Sequence, residues 1–242
     1  MSALAAQARN ELVLAFRQGE QLLVALGIPV LVLLFLSQVD VLPTGTDEPV
    51  DFLAPAVLGL AVMSSAMVSL GIGTGFERHY GVLKRLGATP LGRPRLLVAK
   101  IAAVLVTEVL QLVLLSAVAL ALGWDPAWRL LPFVAAVLLG TAAFAGAGLL
   151  LAGTLSGPAN LAACNGLYLV LLLFGGVAVP AGELPGPVGA IAGLLPTGAL
   201  VKVLRSATGA ELSVGGAWLV LLAWAVVLPL AAARTFRWSP GD

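Results

Sequence analysis

Residues 96–122 read LLVAKIAAVLVTEVLQLVLLSAVALAL. A bilayer's hydrocarbon core takes ~20 helical residues to cross, and this run is longer. Its apolar residues are continuous rather than alternating, so it reads as a helix and not as a barrel strand. Five further runs of the same kind lie at about 21–37, 52–75, 130–155, 161–180 and 214–233. Of the 242 residues, 60% are hydrophobic and only 10% are charged. A soluble domain carries about 25% charged residues, so a water-soluble globular fold is excluded. The expected fold is an all-α membrane protein with six transmembrane helices. A formal net charge of +1 provides no general field for nucleic acid. The single cysteine, Cys164, lies in an apolar run and reads as packing.

Working outward from the spans, the basic residues set the orientation. With the N-terminus inside, Arg9, Arg17, Arg78, Lys84, Arg85, Arg93, Arg95, Lys100, Arg234 and Arg237 fall on the cytoplasmic side. Arg129, Lys202 and Arg205 fall outside. Ten against three predicts both termini in the cytoplasm. The first apolar run precedes Gln38-Val39-Asp40, a poor cleavage region, and is read as a retained span. Before it, residues 1–20 place Leu4, Ala8, Leu12 and Phe16 on one helical side, as expected of an amphipathic helix lying in the inner interface. Residues 182–212 are apolar but interrupted by Pro185, Gly186, Pro187, Gly189, Gly193, Pro196 and Gly198. Breakers at that density predict an outer re-entrant helical hairpin before the last span, with one short helix on each side of Pro196. The whole of 1–242 reads as one transmembrane domain. Trp124, Trp128 and Trp238 are expected to anchor at the membrane interfaces.

The familiar catalytic patterns do not occur. No Gly-x-x-x-x-Gly-Lys-Ser/Thr phosphate loop occurs. The one histidine, His79, has no metal-ligand spacing around it, and there is no Gly-x-Ser-x-Gly elbow. The chain is therefore expected not to be an enzyme in itself, and to hold no metal.

The informative hydrophilic segment is residues 76–95, FERHYGVLKRLGATPLGRPR. A short helix there would align Phe76, Tyr80, Leu83 and Gly87, with Glu77, Arg78, Lys84 and Arg85 around it. Such a helix between two spans either docks a cytosolic partner or merely sets topology. The segment resembles the first inner loop of the ABC transporter type-2 permease family. That pattern has an acid leaving span two, then Gly, an apolar residue, basic residues and Leu, then Thr-Pro and a basic run into span three. The matching positions are Glu77, Gly81, Leu83, Lys84, Arg85, Leu86, Thr89, Pro90, Arg93 and Lys100. His79 and Val82 depart from it. The resemblance implies a permease subunit of an ATP-driven exporter, with ATP and Mg bound by separate ATPase subunits. It also implies a second permease chain, identical or related, and a bacterial plasma-membrane location. The implied ATPase-coupling residues are Glu77, Arg78, Tyr80, Gly81, Leu83, Lys84, Arg85, Thr89 and Pro90.

Glu108, with Gln111 three residues on, sits near the middle of the quoted run. A charge at the bilayer centre costs about 2.5–3.5 kcal/mol on insertion scales. Glu108 is therefore expected to be protonated, paired or facing a cavity, and the two residues are candidates for the substrate path. Gly71 and Gly75, the glycines of span four, and Gly175-Gly176 mark close helix approaches. In the resembled family spans one and five meet across the dimer, which makes Gly175 and Gly176 the interface candidates. With few polar groups in the spans, the expected cargo is amphiphilic: a drug-like compound, a lipid or a lipid-linked molecule. Two alternatives stay open: a proton-driven secondary transporter using Glu108, and a non-transport membrane assembly or scaffold protein.

Overall fold

Runs of Ala, Leu and Val without interior polar residues satisfy their backbone hydrogen bonds best as helices, and every regular element among the described residues is helical. A computed structural model of the chain describes residues 49–87, 93–176, 186–210 and 213–238, with 29–35 and the isolated positions 7, 9, 11, 13, 27 and 37. Helix α1, Pro49–Met63, runs through a π-helical segment, Ser64–Ser69, into α2, Leu70–His79. A short α3, Val82–Gly87, precedes α4, Arg93–Ala121. Then follow α5, Leu130–Thr154, and α6, Gly157–Phe174. The chain closes with α7, Gly186–Leu194, α8, Pro196–Ala207, and α9, Gly215–Thr235.

Five helical stretches are long and apolar enough to cross a bilayer: Pro49–His79, Arg95–Ala121, Leu130–Thr154, Gly157–Phe174 and Gly215–Thr235. They correspond to the second to sixth expected spans. The first, expected at 21–37, lies mostly outside the described residues, although 29–35 are helical and Leu33 is buried. The expected interfacial helix at 1–20 likewise lies outside them, apart from four helical positions. The fifth expected span is shifted: α6 begins at Gly157 and stops at Phe174 rather than 180. Gly176, at φ 67°, turns the chain out of the helix there.

Helix α5 is the hub, because its small residues let neighbours approach. A methyl group on Gly140 would meet the Leu200 side chain of α8 at 3.0 Å. One on Gly146 would sit 2.5 Å from the Pro229 nitrogen of α9, and one on Gly148 2.6 Å from the Met67 carbonyl oxygen in the π segment. Outward faces of α4, α6 and α9 expose Val109, Val113, Leu169, Leu173, Leu219 and Val227. So much exposed aliphatic surface suits hydrocarbon as its solvent.

The expected break at Pro196 is present: α7 and α8 meet at Leu195. Helix α8 is packed inside the bundle, with Val201 against Gly59 of α1 and Leu200 against Gly140 of α5. Trp224 Nε1 donates to the Leu194 carbonyl at 2.9 Å, satisfying the last turn of α7. Trp224 lies nine residues into α9, about 14 Å along it. That bond ties the turn to α9, while Leu194 itself remains exposed.

The bundle has two distinct ends. At one, Arg129 N donates to Ala207 O at 2.8 Å, and Asp125 N to Asp51 Oδ1 at 3.4 Å. Arg205 stacks 3.6 Å over the Phe52 ring, and burial lowers its proton affinity to about 10, so it stays cationic at neutral pH. Trp124 is only 4% exposed and packs in the core, not at a lipid interface. Gly123, at φ 98°, folds the chain back to put it there. At the other end, Arg78 reaches the end of α5, and Arg237 N donates to Gly153 O at 3.2 Å.

Candidate functional site

Polar side chains gather at two places along the bundle. The first is the Arg78 end. Lys100, on the first turns of α4, has a side chain only 4% exposed. Its Nζ lies 2.7 Å from Glu77 Oε1 at the end of α2 and 3.1 Å from both carboxylate oxygens of Glu11. One ammonium thus ties together three segments far apart in sequence. Next to it, Arg78 Nη1 donates to Leu155 O at 2.8 Å and Ala152 O at 3.2 Å. Those are carbonyls at the C-terminal end of α5, where a cation is favoured. Beyond the Tyr80-Gly81 turn, Leu83 is fully buried against Leu96 of α4, with Leu86, Phe236 and Trp238 around them.

This arrangement revises the expected loop helix. Residues 76–79 continue the span, and the chain breaks at Gly81, whose φ of 71° suits glycine. Phe76, Tyr80, Leu83 and Gly87 do not share one helix. Glu77, Arg78 and Leu83 turn into the protein, whereas Tyr80, Lys84 and Arg85 are exposed. Thr89 and Pro90 lie outside the described residues.

The second gathering is midway along α4. Glu108 and Gln111 are both buried and share a helix face. Thr141 of α5 places its Oγ1 2.7 Å from Glu108 Oε2 and 2.8 Å from its own Val137 carbonyl. Ser65 donates to Gln111 Oε1. Among the described residues, Glu108 Oε1 is buried with no hydrogen-bond partner. Ser65 belongs to the π segment, and π turns are frequent at functional sites. Thr107 turns to its own helix, 2.8 Å from Val104 O.

These two features, a charged knot joining the spans at one end and a buried polar cluster between them, sit in a bundle with the span order described. A family model described as ABC-2 type transporter matches residues 3–208. The chain belongs to the ABC-2 type transporter family. The matched region is the family's multi-pass membrane domain, a transport component, and the family implies partner ATPase subunits. No curated protein matches the chain. Among the described residues no group of three His, Cys, Asp or Glu side chains is placed to hold a metal.

Gly175, expected at a dimer contact, is buried within the chain: a methyl group there would lie 2.7 Å from Thr197 of α8. Gly176 is buried beside it. Sequence reasoning missed Ser65, Thr141 and Asn160. Asn160 Nδ2 donates to Gly71 O at 2.8 Å and fills the space a side chain at Gly75 would need. The Ser64-Ser65 pair inside an apolar run was the available signal for the first; Asn160 stood just before the expected fifth span and gave no such signal.

Proposed function

We propose that this chain is the permease subunit of an ATP-driven exporter of amphiphilic molecules, working with a second permease chain and two separate ATPase subunits. The observation that carries the reading is the three-way contact of Lys100 with Glu77 and Glu11. It backs the exposed Tyr80, Lys84 and Arg85 with a buried anchor joined to the spans. A partner that pushes on α3 moves Leu83 against Leu96, and so loads α4 directly. Coupling then needs two arrangements of the bundle that ATP and cargo both bias.

In this reading residues 1–20 lie in the inner interface, 76–95 form the cytoplasmic coupling loop, and 182–212 form the outer hairpin. Both termini are cytoplasmic, following the bias of basic residues. Glu108 and Gln111 line the cargo path. The Gly175-Gly176 corner faces the second permease chain through its exposed neighbours Leu173 and Phe174. Amphiphilic cargo fits a bundle with so few polar groups to replace a hydrophilic solute's hydration.

The test is purification of the tagged full chain in mild detergent from its native membrane, with mass spectrometry and ATPase assay of what co-elutes. A stoichiometric ATPase is expected. Reversing the exposed charges, Lys84→Glu with Arg85→Glu, should reduce its recovery at least fivefold while the chain still inserts. Elution without any ATPase under several mild conditions would sink the exporter reading. The proton-driven alternative, favoured by the half-bonded carboxyl of Glu108, would then replace it.

A further inference from the structure

Glu108 is the sixteenth of the 29 residues of α4 and Thr141 the twelfth of the 25 of α5, so they meet near the middle of both helices. Thr141 Oγ1 stands 2.7 Å from Glu108 Oε2 and 2.8 Å from the Val137 carbonyl oxygen. A hydroxyl has one proton, whereas a carboxylate and a peptide carbonyl only accept. Thr141 therefore cannot serve both in full. Both contacts become hydrogen bonds once the acid supplies a second proton: Glu108 Oε2–H donates to Thr141 Oγ1, and Thr141 donates to Val137 O. Glu108 Oε1 is then the carbonyl oxygen of a neutral acid. Among the described residues that oxygen has no hydrogen-bond partner, and Glu108 is only 1% exposed. A neutral carbonyl oxygen left bare there costs far less than a carboxylate held by a single donor.

No cation is placed to answer such a charge. Helix α4 packs against α1, the π segment, α2 and α3. The charged or titratable groups on them are Asp51 in the first turn of α1, Glu77, Arg78 and His79 at the end of α2, and Lys84 and Arg85 beyond it on α3. Neither the π segment nor α5 has any. On α4 itself the nearest is Lys100, eight residues or about 12 Å away, which already holds two carboxylates.

We infer that Glu108 binds a proton at neutral pH and acts as a hydrogen-bond donor, its Oε2–H clasping α4 to Thr141 of α5 at mid-membrane. The clasp sits where apolar packing between the two helices is incomplete. Toward the Arg78 end they are parted by an apolar cleft of about 330 Å³, walled by Leu97, Ile101 and Leu105 of α4 and by Ala145 and Leu149 of α5. Across that cleft α9 carries only Arg234, in its last turn. Thr141 is among the residues at the cleft and Glu108 is not, so the acid is closed off behind the bond it makes. One turn further along α4, Gln111 accepts from Ser65 of the π segment. Two polar residues on one face thus hold α4 to both neighbours, and the proton decides whether the Thr141 side can close without stranding an acceptor. Glu108 is a positioning residue in this account. The inference concerns its charge and not what passes it, so it stands apart from the exporter reading.

The test is infrared difference spectroscopy of the full chain in lipid nanodiscs at neutral pH. Other carboxyl groups cancel between the wild type and Glu108→Gln. The wild type should show a carboxylic acid C=O band, above the amide absorption, that Glu108→Gln loses. The paired carboxylate stretches should be unchanged. Thr141→Val removes the acceptor of the acid O–H, so the band should move to higher frequency. Thr141→Ser, which keeps the hydroxyl, should leave it in place. A role in packing alone would move neither band. Loss of carboxylate stretches in Glu108→Gln, with no acid band lost, would overturn the bound proton. An acid band that Thr141→Val does not move would overturn the clasp. Should Glu108→Gln fail to insert, the difference between the wild type and Thr141→Val reads both points: a shifted acid band supports them, and its absence overturns them. No ATPase or cargo enters this measurement, so its failure and the failure of the exporter reading are separate results.

Discussion

Lys100 carries one positive charge between two carboxylates, and its burial makes that contact consequential. Removing one partner of a buried ion pair strands the other charge and costs about 3–5 kcal/mol where both are fully enclosed. The side chain of Glu77 is 27% exposed, so water recovers part of that loss. Lys100→Met is expected to lower the stability of the purified chain by about 1–3 kcal/mol in denaturant titration. Adding Glu77→Gln should restore part of it, since neighbours in one network couple by ~0.5–3 kcal/mol. Strict additivity of the two would mean that the contact contributes nothing. The sequence marks both residues within a family-like loop, but not their pairing, which depends on how α2 and α4 cross. Glu108 and Gln111 are the opposite case. Their shared face follows from a three-residue spacing within one helix, and it was legible. Their partners Ser65 and Thr141 lie on other helices at angles no spacing encodes.

Elements were legible where length alone decides them. Apolar runs of about 17 to 27 residues announced the spans, and the breakers around Pro196 announced the break between α7 and α8. Boundaries failed where glycine rather than polarity ends a helix, as at Gly176 and Gly81. The π segment left no periodic trace, because one widened turn shifts the helical phase only locally. Its backbone is nevertheless packed tightly, with Met67 O facing Gly148 of α5. Gly148→Ala forces a methyl group to within 2.6 Å of that oxygen, and a backbone atom cannot swing aside as a side chain would. The expected cost is about 1–3 kcal/mol, the range for overpacking a core. Gly73→Ala, two positions beyond Gly71 in α2, meets nothing within 4 Å and should be neutral or stabilising by up to ~1 kcal/mol. Thermal unfolding of the two variants in one detergent compares them. Equal midpoints would show that α5 and the π segment are not in contact.

At the scale of the whole molecule, the bundle separates two sets of connections. Asp125, Ser213 and the end of α8 belong to one end, Lys84 and Arg237 to the other. A chain with this order of spans has no freedom to mix them: Asp125 sits in the turn between α4 and α5, and Arg237 follows α9, bonded to Gly153 at the far end of α5. Which end faces the cytoplasm is a separate question, argued from the basic residues. Both are testable in one experiment, because the sole cysteine, Cys164, is buried and packs beside Asn160. In a Cys164→Ala background, single cysteines at the exposed positions Asp125, Ser213, Lys84 and Arg237 would be challenged with a membrane-impermeant maleimide. In intact cells, Asp125→Cys and Ser213→Cys should label and the other two should not; in inverted vesicles the pattern should reverse. Labelling of Asp125→Cys and Arg237→Cys from the same side would contradict the bundle itself. A complete exchange, with Lys84→Cys labelled from outside, would keep the bundle but put the exposed coupling surface where no ATP is available. The exporter reading would then fall on topology alone.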